Sequence, residues 1–279
     1  MTERTDGPRE HKALFKEADE QYKNGFYLRA LSIYEKITDL EPSNRDAWFK
    51  KALTLQNLGK YDKAVNAYER IVIMDANDGP AWFNLGSVCG CLGSHDRAIE
   101  CFDKVLMLEP NSEGALCNKG LAQSSAGSHE EAMRSFDAAL AINRSNEQTW
   151  NNKGLCLSAL GRHQEALVCY NEALILKPDH TECLNNIALA LTDIGQDDKA
   201  LKCYSKILKM DPQDFRALAF KGLIHMRRKQ WRSAKICMKK ALGVPEEERQ
   251  RQKVARDVAD IITLALQALE TESRGKKGK

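Results

Sequence analysis

The 279-residue chain reads as an all-α protein, an α-solenoid of tandem helix-turn-helix repeats. Three observations predict it. In a frame of 34 residues starting at His11, alanine stands at position 20 seven times running: Ala30, Ala64, Ala98, Ala132, Ala166, Ala200 and Ala234. Position 15 is Gly25, Gly59, Gly93, Gly127, Gly161 and Gly195, before Lys229 breaks the series. Between these landmarks apolar residues recur at i, i+3 and i+4, the spacing of one buried helix face. A fixed period of this size marks a repeat architecture, in which each unit buries its apolar face only against its neighbours.

The elements follow in order. Residues 1–10 are a charged tail with no apolar core, so they do not read as a signal peptide. Seven repeats occupy 11–44, 45–78, 79–112, 113–146, 147–180, 181–214 and 215–245. The first helix of each is expected over roughly positions 3–14. Its buried stripe falls at 4, 8 and 11, with Trp48, Trp82 and Trp150 at position 4 and only Ala or Gly at position 8. The second helix is expected from about position 18 to 30. It carries the position-20 alanine and an aromatic at 24: Tyr34, Tyr68, Phe102, Phe136, Tyr170 and Tyr204, then Met238. Glycine at 15 suits a left-handed turn between them. Pro42, Pro110, Pro178 and Pro212 at position 32 follow the second helix, where proline is tolerated. Lys229 and the early Pro245 make the turns of the last repeat the least regular.

After the repeats, Pro245 and Glu246–Glu248 suit a helix start, acids lying near its positive end. Val254, Val258, Ile261, Ala265 and Leu269 give an apolar stripe. Residues 246–272 therefore read as the capping helix a solenoid end requires, with a docking or dimer helix as the other reading. Residues 273–279 read as a basic disordered tail.

These residues resemble the tetratricopeptide repeat family, whose Trp/Leu-Gly-Tyr-Ala-Phe/Tyr-Ala-Pro pattern has the same period. The resemblance covers residues 11 to about 245. It implies stacked helix pairs in a right-handed superhelix. The concave groove would be lined by the first helices, with positions 2, 5, 6, 9, 12 and 13 facing it.

On that groove, position 6 reads Lys16, Lys50, Asn84, Asn118, Asn152, Asn186 and Phe220. Four consecutive asparagines resemble the asparagine ladder of the O-linked N-acetylglucosamine transferase repeats. An amide offers two donors and an acceptor, so such a ladder would hold the backbone of an extended peptide. The alternative is a solvated consensus residue. Position 5 carries Phe15, Phe49 and Phe83, either an apolar wall for a partner or packing against the neighbouring unit. The chaperone-binding carboxylate clamp is not matched, because positions 2 and 6 of the first three repeats are Lys12/Lys16, Asp46/Lys50 and Pro80/Asn84.

The charge is uneven: residues 1–140 hold 17 Lys+Arg against 22 Asp+Glu, and residues 141–279 hold 25 against 17. The seventh repeat concentrates the excess, with nine basic residues and no acid between Phe215 and Lys240. Arg216, Arg227 and Arg228 are its candidate patch for an acidic ligand or phosphate. Only Trp231 accompanies them, a weak signal for nucleic acid, which needs aromatics interleaved along a basic track.

Catalytic signatures are missing: there is no GxGxxG, Walker-type loop, HExxH or GxSxG. His95, His129 and His163 share position 17, and Cys101, Cys169, Cys203 and Cys237 share position 23. Equivalent atoms of adjacent units lie about a helix-packing distance apart, ~8–10 Å, too far for one zinc. Packing is the simpler reading for both sets, and no metal or cofactor is expected. The stretch SVCGCLGSHD at 87–96 is a helix end, a bend and a helix start, with Cys89 turned inward and Ser87, Gly90 and Cys91 on or near the groove.

The chain is thus expected to be a non-catalytic scaffold or adaptor, holding an extended peptide or a partner helix, with membership of a multiprotein complex one setting for it. Nucleic-acid or phosphate binding through the seventh repeat is the second reading, and a regulatory subunit of an enzyme complex the third. Nine cysteines without a regular framework of pairs, and no stretch near the ~20 apolar residues of a membrane helix, lead to a cytoplasmic expectation.

Overall fold

The computed structural model describes residues 7–251 and 259–267. Among these residues every regular element is a helix, and the chain divides into two compact units at Arg144/Ser145. The first unit contains α1 (Gly7–Lys23), α2 (Tyr27–Leu40), α3 (Arg45–Asn57), α4 (Tyr61–Met74), α5 (Gly79–Cys91), α6 (His95–Leu108), α7 (Glu113–Ser125) and α8 (His129–Ile142). The second contains α9 (Glu147–Ala159), α10 (His163–Leu176), α11 (Thr181–Asp193), α12 (Asp197–Met210), α13 (Phe215–Arg227), α14 (Trp231–Leu242) and α15 (Glu246–Arg251). A further helical stretch covers 259–267. Odd and even helices up to α14 are the first and second helices of the seven repeats.

From α3 onward the first helices begin at position 1, two residues earlier than the apolar pattern indicated. At five of these six starts position 34 explains the difference, Ser112 before α7 making no side-chain cap bond. In those five the position-34 side chain accepts the backbone N–H at position 3 of the next repeat: Asn44 from Ala47, Asp78 from Ala81, Asn146 from Thr149, His180 from Cys183 and Asp214 from Ala217. A capping acceptor satisfies one of the four orphan donors and so fixes where the helix starts.

The bend within each repeat is set at position 15. Its six glycines have φ between +69° and +85°, and Lys229 adopts φ 57°, so the seventh repeat keeps the same left-handed turn without glycine. The helices then close on positions 8, 20 and 24. Ala30, Ala64, Ala98, Ala132, Ala166, Ala200 and Ala234 are all fully buried. The position-24 rings lie over position 8 so closely that a Cβ on Gly154 would stand 2.5 Å from Tyr170 Cε1. Trp48 and Trp82 each donate Nε1–H across the inter-repeat turn, to the carbonyls of Pro42 and Ala76 at 2.9 Å.

The end of the chain differs from the expected stripe. Ile261 is half exposed, whereas Ile262 is fully buried against a cluster that includes Phe215, Leu218 and Met238. Ala259, Ala265 and Leu266 pack with it, so Ala265 of the expected stripe faces inward while Ile262 takes the place expected for Ile261; Val258 lies outside the described residues. The apolar residues on both faces had left this register open. Residues 1–6, 252–258 and 268–279, which include most of the expected N-terminal tail, parts of the expected cap and the basic tail, lie outside the described residues.

Candidate functional site

Within each unit the first helices of adjacent repeats touch one another, α5 with α7, α9 with α11 and α11 with α13. In each unit these helices carry predicted site residues.

Phe15, Phe49 and Phe83 do not lie open on this face. Each is half buried and meets its own repeat's position-24 ring edge-on, Phe15 with Tyr34, Phe49 with Tyr68 and Phe83 with Phe102, at centroid distances of 5.9, 5.8 and 5.8 Å. This is packing within the repeat, and edge-to-face geometry is the favoured one for such rings.

The lysines at position 6 have carboxylate neighbours. Lys50 Nζ lies 3.1 Å from Asp19 Oδ1, which also accepts the Tyr34 hydroxyl at 2.6 Å. Burial pushes the Asp19 carboxyl up, but the bonds from Tyr34 and Lys50 outweigh it and hold it below the usual value. Lys16 is 3.9 Å from Glu20. It lines a cavity of about 650 Å³ with Lys12, Phe15 and Asp46.

The asparagines divide by unit. In the first unit, Asn84 Nδ2 donates to the Pro80 carbonyl at 2.8 Å, along its own helix. Asn118 borders a cavity of about 380 Å³, whose walls include Ser87, Gly90, Cys91, Leu121 and Ser125. A Cβ on Gly90 would meet nothing within 4 Å, so the missing side chain leaves space there.

In the second unit the amides bond to neighbouring side chains. Asn152 is buried and accepts from Gln148 Nε2 at 3.1 Å. Asn186 Nδ2 reaches across from α11 to Asn151 Oδ1 on α9, also at 3.1 Å. Asn151 and Asn185, at position 5, are buried too, where the first three repeats place phenylalanine. Asn151 Nδ2 and Asn185 Oδ1 have no protein partner. Sequence reasoning followed position 6 and missed this position-5 pair. The signal was the change from ring to amide in the series Phe15, Phe49, Phe83, Cys117, Asn151, Asn185.

The seventh-repeat arginines are engaged locally. Arg227 pairs with Asp197 and Arg228 with Asp198, the latter at 2.5 Å, both acids lying in the first turn of α12. Arg216 stands on α13, where its charge acts on the Asp214 carboxyl. On α12, Lys202, Lys206 and Lys209 line a cavity of about 400 Å³.

The position-17 histidines do not converge. His129 Nδ1 is 3.4 Å from Ser124 Oγ and His163 Nδ1 is 3.9 Å from Asp193 Oδ2. Among the described residues no three His, Cys, Asp or Glu side chains are grouped to hold a metal ion, and no helix is long and apolar enough to cross a membrane. None of the nine cysteines is in a disulfide.

The fold and this face define a helical-repeat protein. Tetratricopeptide-repeat family models match residues 21–87, 79–112, 114–146, 147–180 and 181–214, and the chain belongs to that family. Among curated proteins none matches the chain in sequence. Solved structures share the fold. A tetratricopeptide repeat protein from Parabacteroides merdae is 16% identical with a TM-score of 0.74, over 94% of this chain and 99% of that one. PilW, a type IV pilus biogenesis factor, is 18% identical with a TM-score of 0.67, over 74% of this chain and 96% of that one. YrrB, described as having an unusual peptide-binding site, is 19% identical with a TM-score of 0.52, over 67% of this chain and 97% of that one.

Proposed function

We propose that the chain is a non-catalytic protein-interaction scaffold that holds an extended peptide or a partner helix on the face made by its first helices. The observation that carries this reading is the cavity of about 380 Å³ between α5 and α7, with Asn118 on its wall and small residues around it. A partner side chain would enter where Gly90 and Ser87 leave room, while the Asn118 amide would meet partner backbone groups. Asn84 would extend the polar contacts in the first unit, and Asn152 and Asn186 would offer such contacts in the second, all three after giving up their internal bonds. Lys16 and Lys50 would favour acidic side chains near the front of the chain, with Phe15, Phe49 and Phe83 acting as rigid support beneath them.

The test is peptide selection from a random library on the immobilised full chain, followed by affinity measurement on variants. Combined Asn118→Ala, Asn152→Ala and Asn186→Ala should weaken a selected peptide by about tenfold or more, since each hydrogen bond contributes roughly 0.5–1.5 kcal/mol. Gly90→Leu should obstruct binding while leaving the helical spectrum unchanged. Full affinity in both variants sinks the reading.

A second reading, an acidic or phosphorylated ligand on the last repeats, rests on the three lysines that line the α12 cavity. It requires binding that falls steeply with salt.

A further inference from the structure

Repeat three alone carries cysteine at both position 11 and position 23, Cys89 on α5 and Cys101 on α6. The other position-11 residues are Gln21, Leu55, Gln123, Leu157, Leu191 and His225. Repeat four shows that these two positions meet: Ser135 Oγ donates to Gln123 Oε1 at 2.7 Å. In repeat three the same two positions both carry thiols, and Cys89 and Cys101 belong to one buried cluster. Position 8 tightens the approach, since a Cβ on Gly86 would stand 3.1 Å from Cys101 Cβ.

Both thiols are nearly inaccessible from bulk solvent, yet Cys101 lines a cavity of about 390 Å³ with Trp82, Leu85 and Arg97. That volume far exceeds the ~30 Å³ of a water molecule, so a small oxidant fits. We propose that Cys89 and Cys101 are an oxidation site, in which a hydroperoxide converts the two thiols into a disulfide that staples α5 to α6.

The chemistry closes with hydrogen peroxide as the oxidant. One sulfur of the pair, as thiolate, attacks a peroxide oxygen; the O–O bond breaks and hydroxide leaves, becoming water with a proton from solvent. The product is a sulfenic acid. The other sulfur, once deprotonated, attacks the sulfenic sulfur; the S–O bond breaks and the oxygen leaves as a second water. Two thiols and one peroxide give one disulfide and two waters. Cys101, as a donor beside it, holds the Cys89 thiol below its usual range against the opposing effect of burial, which favours the first deprotonation there.

Such a staple would fix the helix pair that supplies Gly86, Ser87 and Gly90 to the candidate peptide cavity. Neighbouring Cys91 cannot replace either partner, since it is exposed and turned about 200° from Cys89 along the helix.

The experiment is peptide mapping by mass spectrometry under non-reducing conditions, on the folded full-length chain and its Cys91→Ser variant after graded hydrogen peroxide. The expected result is one predominant cross-link, Cys89 to Cys101, two hydrogens lighter than the paired thiol peptides and lost in Cys101→Ser. In that variant Cys89 should instead be trapped by a sulfenic-acid reagent. Thiols that stay reduced, cross-links confined to other cysteines, or a Cys89–Cys101 link that forms only in urea would each overturn the proposal.

Discussion

Arg45 holds Asp78 through two hydrogen bonds, Nε to Oδ2 at 2.7 Å and Nη2 to Oδ1 at 2.9 Å. The two residues stand at positions 1 and 34 of one repeat. Asp78 also caps α5 through the Ala81 N–H, and the Arg45 guanidinium lies 4.6 Å over the Phe49 ring. One carboxylate thus ends one repeat and starts the next. The Arg45 bonds hold its pKa below the ordinary 3.8.

Arg45→Met should therefore lower the stability of the first unit by roughly 1–2 kcal/mol at neutral pH, the exposed side of the guanidinium limiting the loss. A carboxyl depressed in the folded state contributes stability above its unfolded value and loses it as pH falls through the folded value. Urea titrations should accordingly show the gap between wild type and variant closing below about pH 4, the ordinary carboxylate range. A gap that does not change with pH refutes the assignment.

Asp214 is the matched contrast. It is the same position-34 cap, but Thr181 stands where Arg45 would be. Burial raises its pKa, only partly offset by the Ala217 N–H. A raised folded value means that the group favours folding at low pH and loses that contribution as pH rises through it. Thr181→Arg should stabilise the second unit at pH 7 by about 0.5–1 kcal/mol, and by less at pH 3. Thermal melts at the two pH values distinguish this from a general effect of added charge.

Lys229 carries the left-handed turn of the seventh repeat with a side chain present. Such a conformation costs roughly 1–2 kcal/mol for an ordinary residue. Lys229→Gly should raise the melting temperature despite glycine's greater unfolded-state entropy, and Lys229→Val should lower it. Equal melts for all three chains would show that the turn is unstrained.

Gly154 tests the seam between helices. A methyl there would stand 2.5 Å from Tyr170 Cε1, so Gly154→Ala should cost about 1–3 kcal/mol through displaced packing, outweighing alanine's helix preference. Gly90→Ala, on the open side of α5, should instead stabilise by about 0.5–1 kcal/mol. Denaturation midpoints moving in opposite directions are the signature sought.

The helix count, the turns and the buried stripe through residue 245 were legible because one 34-residue pattern repeats them seven times. Helix starts were less so, since the apolar period does not reveal a cap; the Asn, Asp and Ser at position 34 were the available signal. The site was only partly legible. Position 5 follows from the frame, yet whether Phe49 faces a partner or Tyr68 depends on the rotamer and the ring opposite. Asn186 likewise has two possible destinations for its amide, and the structure sends it to Asn151. The charge run around Arg227 and Arg228 hid its acids, because Asp197 and Asp198 lie 30 residues earlier in the chain.

Arg45 and Asp78 bracket one repeat from within, and each position-34 cap acts only on the helix that follows it. Excision of residues 45–78 would remove both members of the clasp together and leave Asn44 beside Gly79, still able to cap. A deletion of a single residue within a helix would instead put wrong side chains at the cap, bend or seam of the repeat it falls in. Length, in this chain, is written in whole multiples of 34: a gene encoding it tolerates the loss of a repeat more readily than the loss of one codon.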